Sequence, residues 1–295
     1  MTTTNKRINF WYNEYQTKFL IDNYSTLGSK KCSEILNIPV EKIRTKTYHL
    51  GLKLNKETQS RINKESKKDK KYEDYSVNPN QFLSIETPEI AYILGLVWAD
   101  GYVTNNDNHY TIKINSLFDD LNTILHIFLK TGKWFHGTRN RKNRRKQMYI
   151  GTSNKIICNF LLENDYRSKS FESADKILSK IPEHLQHYWF RGLIDGDGCF
   201  YISKNKHQRQ FSLASSYEQN WFFMEKLLKK FEIRYSIRRV KQFQHNRINK
   251  SSIIRTVNSK DIKKLGDYIY QGFLTDKIGF ERKFKKYLEI CSFCK

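Results

Sequence analysis

Apolar residues fall into a repeated pattern along this 295-residue chain. In residues 90–103, IAYILGLVWADGYV, an almost unbroken apolar stretch runs into a small residue, an aspartate and a glycine. Residues 189–203, WFRGLIDGDGCFYIS, repeat that order 97 positions later (192 − 95, glycine to glycine). Gly95 with Ala99, and Gly192 with Gly196, are four apart, so on a helix each pair clears one face of bulk. Two such faces can pack backbone to backbone, which only small residues permit. Gly101 and Gly198 are natural stops for these helices. Beyond each stop the period changes. Tyr110, Ile112 and Ile114 alternate with Thr111, Lys113 and Asn115, and Phe211 and Leu213 alternate with Gln210, Ser212 and Ala214, as half-buried strands do. Further helices are expected at about 117–130, 153–163, 217–231 and 259–271, and further strands near 133–139, 146–152, 233–241 and 251–257. Both halves then read helix, two strands, helix, two strands, helix.

The first fifty residues form a separate helical unit. Trp11, Phe19, Leu20, Ile35, Leu36, Ile43, Tyr48 and Leu50 recur at helical intervals with breaks near 25–29 and 37–40, which predicts helices at about 12–24, 29–36 and 40–50, stopped by Gly51. Residues 53–80 carry many lysines and no apolar period, so an extended basic linker is expected.

Charge narrows the class of partner. Lys plus Arg number 53 against 30 Asp plus Glu, for a net charge of +23, which points to a polyanion. Seven basic residues and no acid lie between Lys133 and Lys146, and seven more and no acid between Ile233 and Arg255. Equivalent basic runs in both halves suit two antiparallel sheets gripping one duplex. A membrane surface is the weaker alternative, since no amphipathic basic helix stands out and no run of eighteen apolar residues occurs. The polar start MTTTNKRINF lacks a signal-peptide core, so a cytoplasmic or nucleoid location is expected, with organellar origin left open. The five cysteines are scattered, and Cys291 and Cys294 read as a tail, not half a zinc site. No nucleophile constellation appears, and His184 and His187 read as surface residues.

The two Asp-Gly ends carry the chemistry. Asp100 and Asp197 each sit at the carbonyl end of a helix, where the macrodipole disfavours negative charge. Pairing the helices brings the two carboxylates together, which is costly unless a cation lies between them. Hard oxygen ligands suit magnesium. Asp195, two positions before Asp197, falls on another helix face and reads as structural.

Residues 93–101 (ILGLVWADG) and 190–198 (FRGLIDGDG) resemble the two motifs of a LAGLIDADG homing endonuclease in its single-chain form. The first copy departs from the pattern at Trp98. The resemblance, covering about residues 85–290, implies an α+β fold: two pseudo-symmetric αββαββα half-domains, 85–180 and 181–290, forming a DNA-binding β-saddle, with 291–295 as a tail. The pattern W…E…FL…Y…G…C…L…I…K…LGLK in residues 1–54 resembles the Myb-like or homeodomain-like helix-turn-helix, a small all-α domain joined through a basic linker, 55–84. Its third helix would lie in the major groove, with Arg44 and Lys46 on phosphates or base edges.

The resemblance further implies a monomer that cuts both strands of double-stranded DNA at a long asymmetric site, leaving short 3′ overhangs. Two or three Mg²⁺ or Mn²⁺ ions would be shared between Asp100 and Asp197, with Ala99 and Gly196 completing the metal set. Lys169 in NDYRSKSF and Lys277 in FLTDKIGF match the family's lysines near the scissile phosphate, and Ser116 and Ser215 match its water-positioning residues. The strand cations expected on DNA are Lys113, Arg139, Arg141, Arg144, Arg145, Arg209, Arg238, Arg239, Lys241, Arg247 and Arg255. The alternative is a non-cleaving use of the same scaffold, as an intron RNA maturase or a DNA-binding regulator, neither of which needs the acid pair.

Overall fold

The computed structural model describes residues 12–68, 77–106, 109–140, 145–205, 207–244 and 247–294. The chain divides into two compact units, Met1–Glu73 and Asp74–Lys295.

In the first unit, α1 (Glu14–Leu36) starts at a capping box, in which the Asn13 side chain accepts from the Gln16 N–H at 2.8 Å and Gln16 Oε1 accepts from the Asn13 N–H at 3.1 Å. Gly28 breaks it, with φ 76° and ψ 170°, near the expected gap between two helices. A second helix, α2 (Val40–His49), follows the left-handed Asn37. Leu20, Cys32, Ile38 and Ile43 make the small core. Ile35 and Tyr48 point to solvent, contrary to their periodic spacing, and Trp11 lies outside the described residues.

Where an extended linker was expected, residues 56–68 form α3 (Lys56–Lys68) and pack on α1. The reason is a stripe too narrow to show as apolar periodicity. Thr58 Oγ1 and Arg61 Nη2 both donate to the Thr26 carbonyl, at 3.0 and 2.9 Å. Ile62 lies so close to Gly28 that an added Cβ there would meet its Cδ1 at 2.7 Å.

The second unit begins with α4 (Pro79–Ser84) and α5 (Pro88–Asp100), the latter opened by Thr87 as cap and Pro88 in the first turn. Then come β1 (Gly101–Asn106), β2 (His109–Leu117), α6 (Phe118–Lys130), β3 (Phe135–Arg139), β4 (Gln147–Thr152), α7 (Lys155–Glu163) and the short α8 (Asp175–Leu178). After a 3-10 turn at Glu183–Leu185 the order recurs: α9 (Gln186–Asp197), β5 (Gly198–Ile202), β6 (Arg209–Ser216), α10 (Phe222–Lys230), β7 (Ser236–Gln244), β8 (Arg247–Thr256) and α11 (Ser259–Ile269). Two helices close the chain, α12 (Phe273–Asp276) and α13 (Glu281–Cys291).

Each half holds one four-stranded antiparallel sheet, ordered β1-β2-β4-β3 and β5-β6-β8-β7. The two sheets share a topology and an equivalent register: Gly101 pairs with Ile114, and Gly198 with Leu213. A single apolar core runs through both halves, centred on α5 and α9. Among the described residues, no helix is long and apolar enough to cross a membrane.

Candidate metal centre and nucleic-acid face

The two motif helices touch backbone to backbone. A Cβ added at Gly95 would lie 1.9 Å from the Trp189 carbonyl oxygen, and one at Gly192 would lie 2.2 Å from that of Tyr92. One added at Gly196 would meet the Ala99 Cβ at 2.3 Å and Asp100 Oδ2 at 3.3 Å. Gly95, Ala99, Gly192 and Gly196 thus line the seam, and absence of side chains is what brings the helix ends together.

Asp100 and Asp197 end α5 and α9 at that seam. Burial raises the pKa of Asp100, and Lys169 and Lys283 oppose that rise. Asp197 is pushed up to about 6, first by burial and then by the charge of Asp100, with the same two lysines opposing. Asp197 nonetheless keeps substantial contact with solvent, so a cation can reach it.

Lys169 comes from the turns between α7 and α8. Its ammonium donates to the carbonyls of Val97 at 3.0 Å, Ala99 at 2.6 Å and Gly101 at 2.8 Å. An ammonium has three donors, so all are taken. The lysine holds the negative end of α5 and does not project into the open site. Burial lowers its pKa to about 8 against the pull of Asp197 and Asp100.

The second half does the same with a residue the sequence reading missed. Lys283, in the first turn of α13, donates to the carbonyls of Ile194 (3.0 Å) and Gly198. By the 97-residue offset, Ile194 and Gly198 correspond to Val97 and Gly101, so Lys283 is the counterpart of Lys169. Lys277 is not. It is exposed, sits left-handed at the end of α12, and makes none of these contacts. The lysine that meets these carbonyls lies not just ahead of the last helix but inside it, 86 residues after Asp197 (283 − 197). Asp195 is fully buried and accepts from the Tyr92 hydroxyl at 2.9 Å and the Phe280 N–H at 2.7 Å.

The donor set suits a hard divalent ion. Two carboxylates whose proton affinity is raised, that of Asp197 partly by the charge of Asp100, gain from a shared cation, and a carbonyl oxygen has a second lone pair, so the Ala99 carbonyl can still accept beyond its bond to Lys169. No group of three or more His, Cys, Asp or Glu residues able to hold a metal occurs among the described residues. Coordination would therefore be completed by water and phosphate oxygens, the usual arrangement for magnesium. Ser215 lines a cavity of about 40 Å³ with Lys169 and Asp197 and donates to Gln219 at 2.6 Å. Ser116 is half-buried at the matching place in β2.

Strand alternation sorts the basic residues by face. In the first sheet Ile112, Ile114, Met148 and Ile150 point to the core. On the opposite face, Lys113 and Arg139 flank the Tyr149 ring at 4.1 and 5.6 Å. Burial, then Arg139, lowers the pKa of Lys113, a cost that a polyanion would relieve. In the second sheet Phe211, Leu213 and Ile254 face the core, and Arg238 and Arg255 share the opposite face by register.

Arg209, Arg239 and Lys241 fall on the core-side rows instead. Arg209 lies over the Phe293 ring at 4.7 Å, Arg239 donates to the Tyr217 carbonyl at 3.1 Å, and Lys241 lies 5.4 Å from the Tyr217 ring. A run of adjacent basic residues on a strand cannot all reach one groove. Arg145 is exposed beyond the end of β4's ladder, whereas Arg141, Arg144 and the side chain of Arg247 lie outside the described residues. In the first unit Arg44 is exposed on α2, and Lys46 is half-buried over the Tyr12 ring at 5.3 Å.

Residues 185–270 match the LAGLIDADG-like domain family. Among solved structures, the chain is similar to the LAGLIDADG homing endonuclease I-GzeII in complex with DNA target, at 16% identity and a TM-score of 0.40, over 74% of this chain and 89% of that one. It is also similar to the LAGLIDADG meganuclease I-AabMI bound to uncleaved DNA, at 17% identity and a TM-score of 0.40, over 70% and 89%. A third is the homing endonuclease I-WcaI bound to its DNA recognition sequence, at 14% identity and a TM-score of 0.42, over 70% and 91%. No curated protein matches the chain significantly.

Proposed function

We propose that this chain is a site-specific DNA endonuclease of the LAGLIDADG homing type, which makes a metal-dependent double-strand break. The observation that carries the reading is the convergence of Asp100 and Asp197 at the close-packed ends of α5 and α9, each helix end held by a lysine at least half-buried. A DNA-binding regulator or an RNA maturase needs neither the paired acids nor the cost of bringing them together.

Hydrolysis of a phosphodiester requires an activated water, relief of charge on the crowded phosphate and a stabilised leaving oxygen. Divalent ions held by Asp100 and Asp197 supply Lewis acidity and a water of lowered pKa. The protein's own residues do the rest. Asp100 and Asp197 present carboxylate oxygens toward one space from two helices, so each is placed to serve one strand. Lys169 and Lys283 neutralise the carbonyl ends beneath them and set a positive field under the phosphate. Lys113 with Arg139, and Arg238 with Arg255, bind the backbone on the two sheet faces, so affinity falls steeply with salt. The helices of the first unit, with Arg44 exposed on α2, serve as a helix-turn-helix that adds DNA contacts of its own. One copy of the chain holds both halves of the centre and acts as a monomer on a long asymmetric site, leaving short 3′ overhangs.

The test is selection of a cleavable site from a randomised plasmid library with Mg²⁺, followed by Asp100→Asn and Asp197→Asn on that site. Wild type should linearise the plasmid, and either variant should lose at least about a thousandfold in double-strand cleavage, the scale of removing a group on which the reaction depends. Undiminished cleavage by both variants, or tight binding of wild type with no cleavage under any divalent ion, overturns the reading.

A further inference from the structure

Each site lysine sits next to a residue gripped by the opposite half. Arg282, the neighbour of Lys283 in α13, makes a two-pronged bond to Asp120 in α6 of the first half: Nε to Oδ1 at 2.5 Å and Nη2 to Oδ2 at 2.7 Å. Asp120 is buried although it is charged. On the other side the segment after Lys169 is gripped by the second half. The Gln219 side chain, also buried, donates to the Glu172 carbonyl at 2.8 Å. Ser216 Oγ donates to the Ser170 carbonyl, and the Asn220 N–H donates to that of Phe171 at 3.0 Å.

The two grips are built at equivalent positions. Register places Ile114 opposite Gly101 and Leu213 opposite Gly198, an offset of 99 along the second strands (213 − 114). Asp120 plus 99 is Gln219. The same post-strand position in each half therefore reaches across the seam to the segment carrying the other half's lysine. The lysines themselves bind the carbonyls of their own half's motif helix.

We infer that Asp120 and Gln219 are crossed positioning residues: each sets the site lysine of the opposite half, so neither half's centre is assembled unless both halves are docked. Resting on the nuclease reading, this makes concerted cutting of two strands a property of the interface. If the halves came apart, each would lose the grip that sets its own lysine, and with it the helix end that presents its acid.

Native-state hydrogen exchange on the full chain, read by mass spectrometry, tests the tether without any substrate. Asp120→Asn should speed exchange about tenfold or more in peptides spanning 278–286, the factor expected from losing a charge-assisted hydrogen bond, and leave 165–175 unchanged. Gln219→Met, which keeps the volume, should do the reverse. Arg282→Gln combined with Asp120→Asn should be no worse than either alone. If each variant loosens only the half that carries it, the residues are locally structural and the proposal fails. On a cleavable plasmid, Asp120→Asn and Gln219→Met should each raise the ratio of nicked to linear product, with Asp120→Glu partly restoring it. An unchanged ratio with crossed exchange effects would overturn the catalytic half of the inference. A wild type that cuts nothing sinks the nuclease reading and leaves the exchange result standing.

Discussion

The two seam helices are alike at their ends and unlike in between. With the 97-residue offset, Gly95 matches Gly192 and Asp100 matches Asp197, but Ile90, Leu94 and Trp98 of α5 correspond to His187, Arg191 and Asp195 of α9. In the first half these places are apolar: Trp98 packs edge-on against Tyr166, ring centroids 5.0 Å apart, and the Tyr166 hydroxyl closes on the Leu94 carbonyl at 3.0 Å. In the second half they are polar. Arg191, fully buried, donates to the carbonyls of Ile269, Gln271 and Ile278 and to Asp276. Asp195 accepts from Tyr92 and Phe280. The difference teaches where symmetry is required. Approach of the backbones and placement of the acids demand it, whereas the middle of each helix holds its own half's C-terminal segment by different means, by rings in one case and by a buried ionic network in the other.

The largest effect should come from the symmetric part. Gly95→Val and Gly192→Val each drive a side chain into the carbonyl of the facing helix, and nothing there can yield because the neighbouring atoms are backbone. A loss beyond about 4–5 kcal/mol is expected, enough to leave no folded second unit. Circular dichroism and urea unfolding should show the same collapse for both variants, and a folded Gly192→Val beside an unfolded Gly95→Val would show that the seam is not equivalent on its two sides.

Next in size is the asymmetric part. Arg191→Leu gives α9 the residue that α5 carries at Leu94. The substitution leaves Asp276 without its charge partner and orphans three carbonyls, which should cost about 3–5 kcal/mol. Leu94→Met, a volume-conserving change at the matching position, should cost less than about 1.5 kcal/mol. Equal losses in urea melts would mean that the buried network is no more than packing.

Much of this was legible in the sequence, and what was missed has a common cause. The repeat, the glycine spacing and the strand alternation are local patterns, and they predicted the element order of both halves as well as the seam. The errors fall on features that only three-dimensional neighbours define. Residues 56–68 form a helix because Thr58 and Ile62 find Thr26 and Gly28 on another helix, so propensity and periodicity gave no sign of it. Lys283, and not Lys277, meets the carbonyls that end α9, because their geometry and not distance from a helix start selects the lysine. Arg209, Arg239 and Lys241 looked like groove contacts from charge alone, although period-two alternation over 236–244 already separates Arg238 from Arg239.

His187, expected at the surface, is buried instead, and it yields the smallest but sharpest test of the comparison. Its ring is buried against Tyr188 and Tyr268, and burial, then the charge of Arg191, lowers its pKa to about 4, with Asp276 and the carbonyl of His184 pulling the other way. An unfolded histidine titrates near about 6.5, so between that pH and about 4 the unfolded chain binds more protons. The ring's contribution to stability is complete above the unfolded value and is lost as pH falls through this window. Asp195, pushed up to about 6 by burial, has the opposite sign: its contribution is complete below the ordinary carboxylate range and is lost as pH rises through about 6. In the wild type the two oppose each other between pH 7 and pH 5, with Asp197, also pushed up to about 6, adding to the Asp195 side. His187→Ile, which copies Ile90 of the first half, removes the histidine's opposing share. On acidification over that range the variant's stability should rise by about 1–2 kcal/mol more than the wild type's, in urea melts followed by tryptophan fluorescence. The same slope in both proteins would mean that the second half's polar core does not titrate, and that its contrast with the first half is one of shape alone.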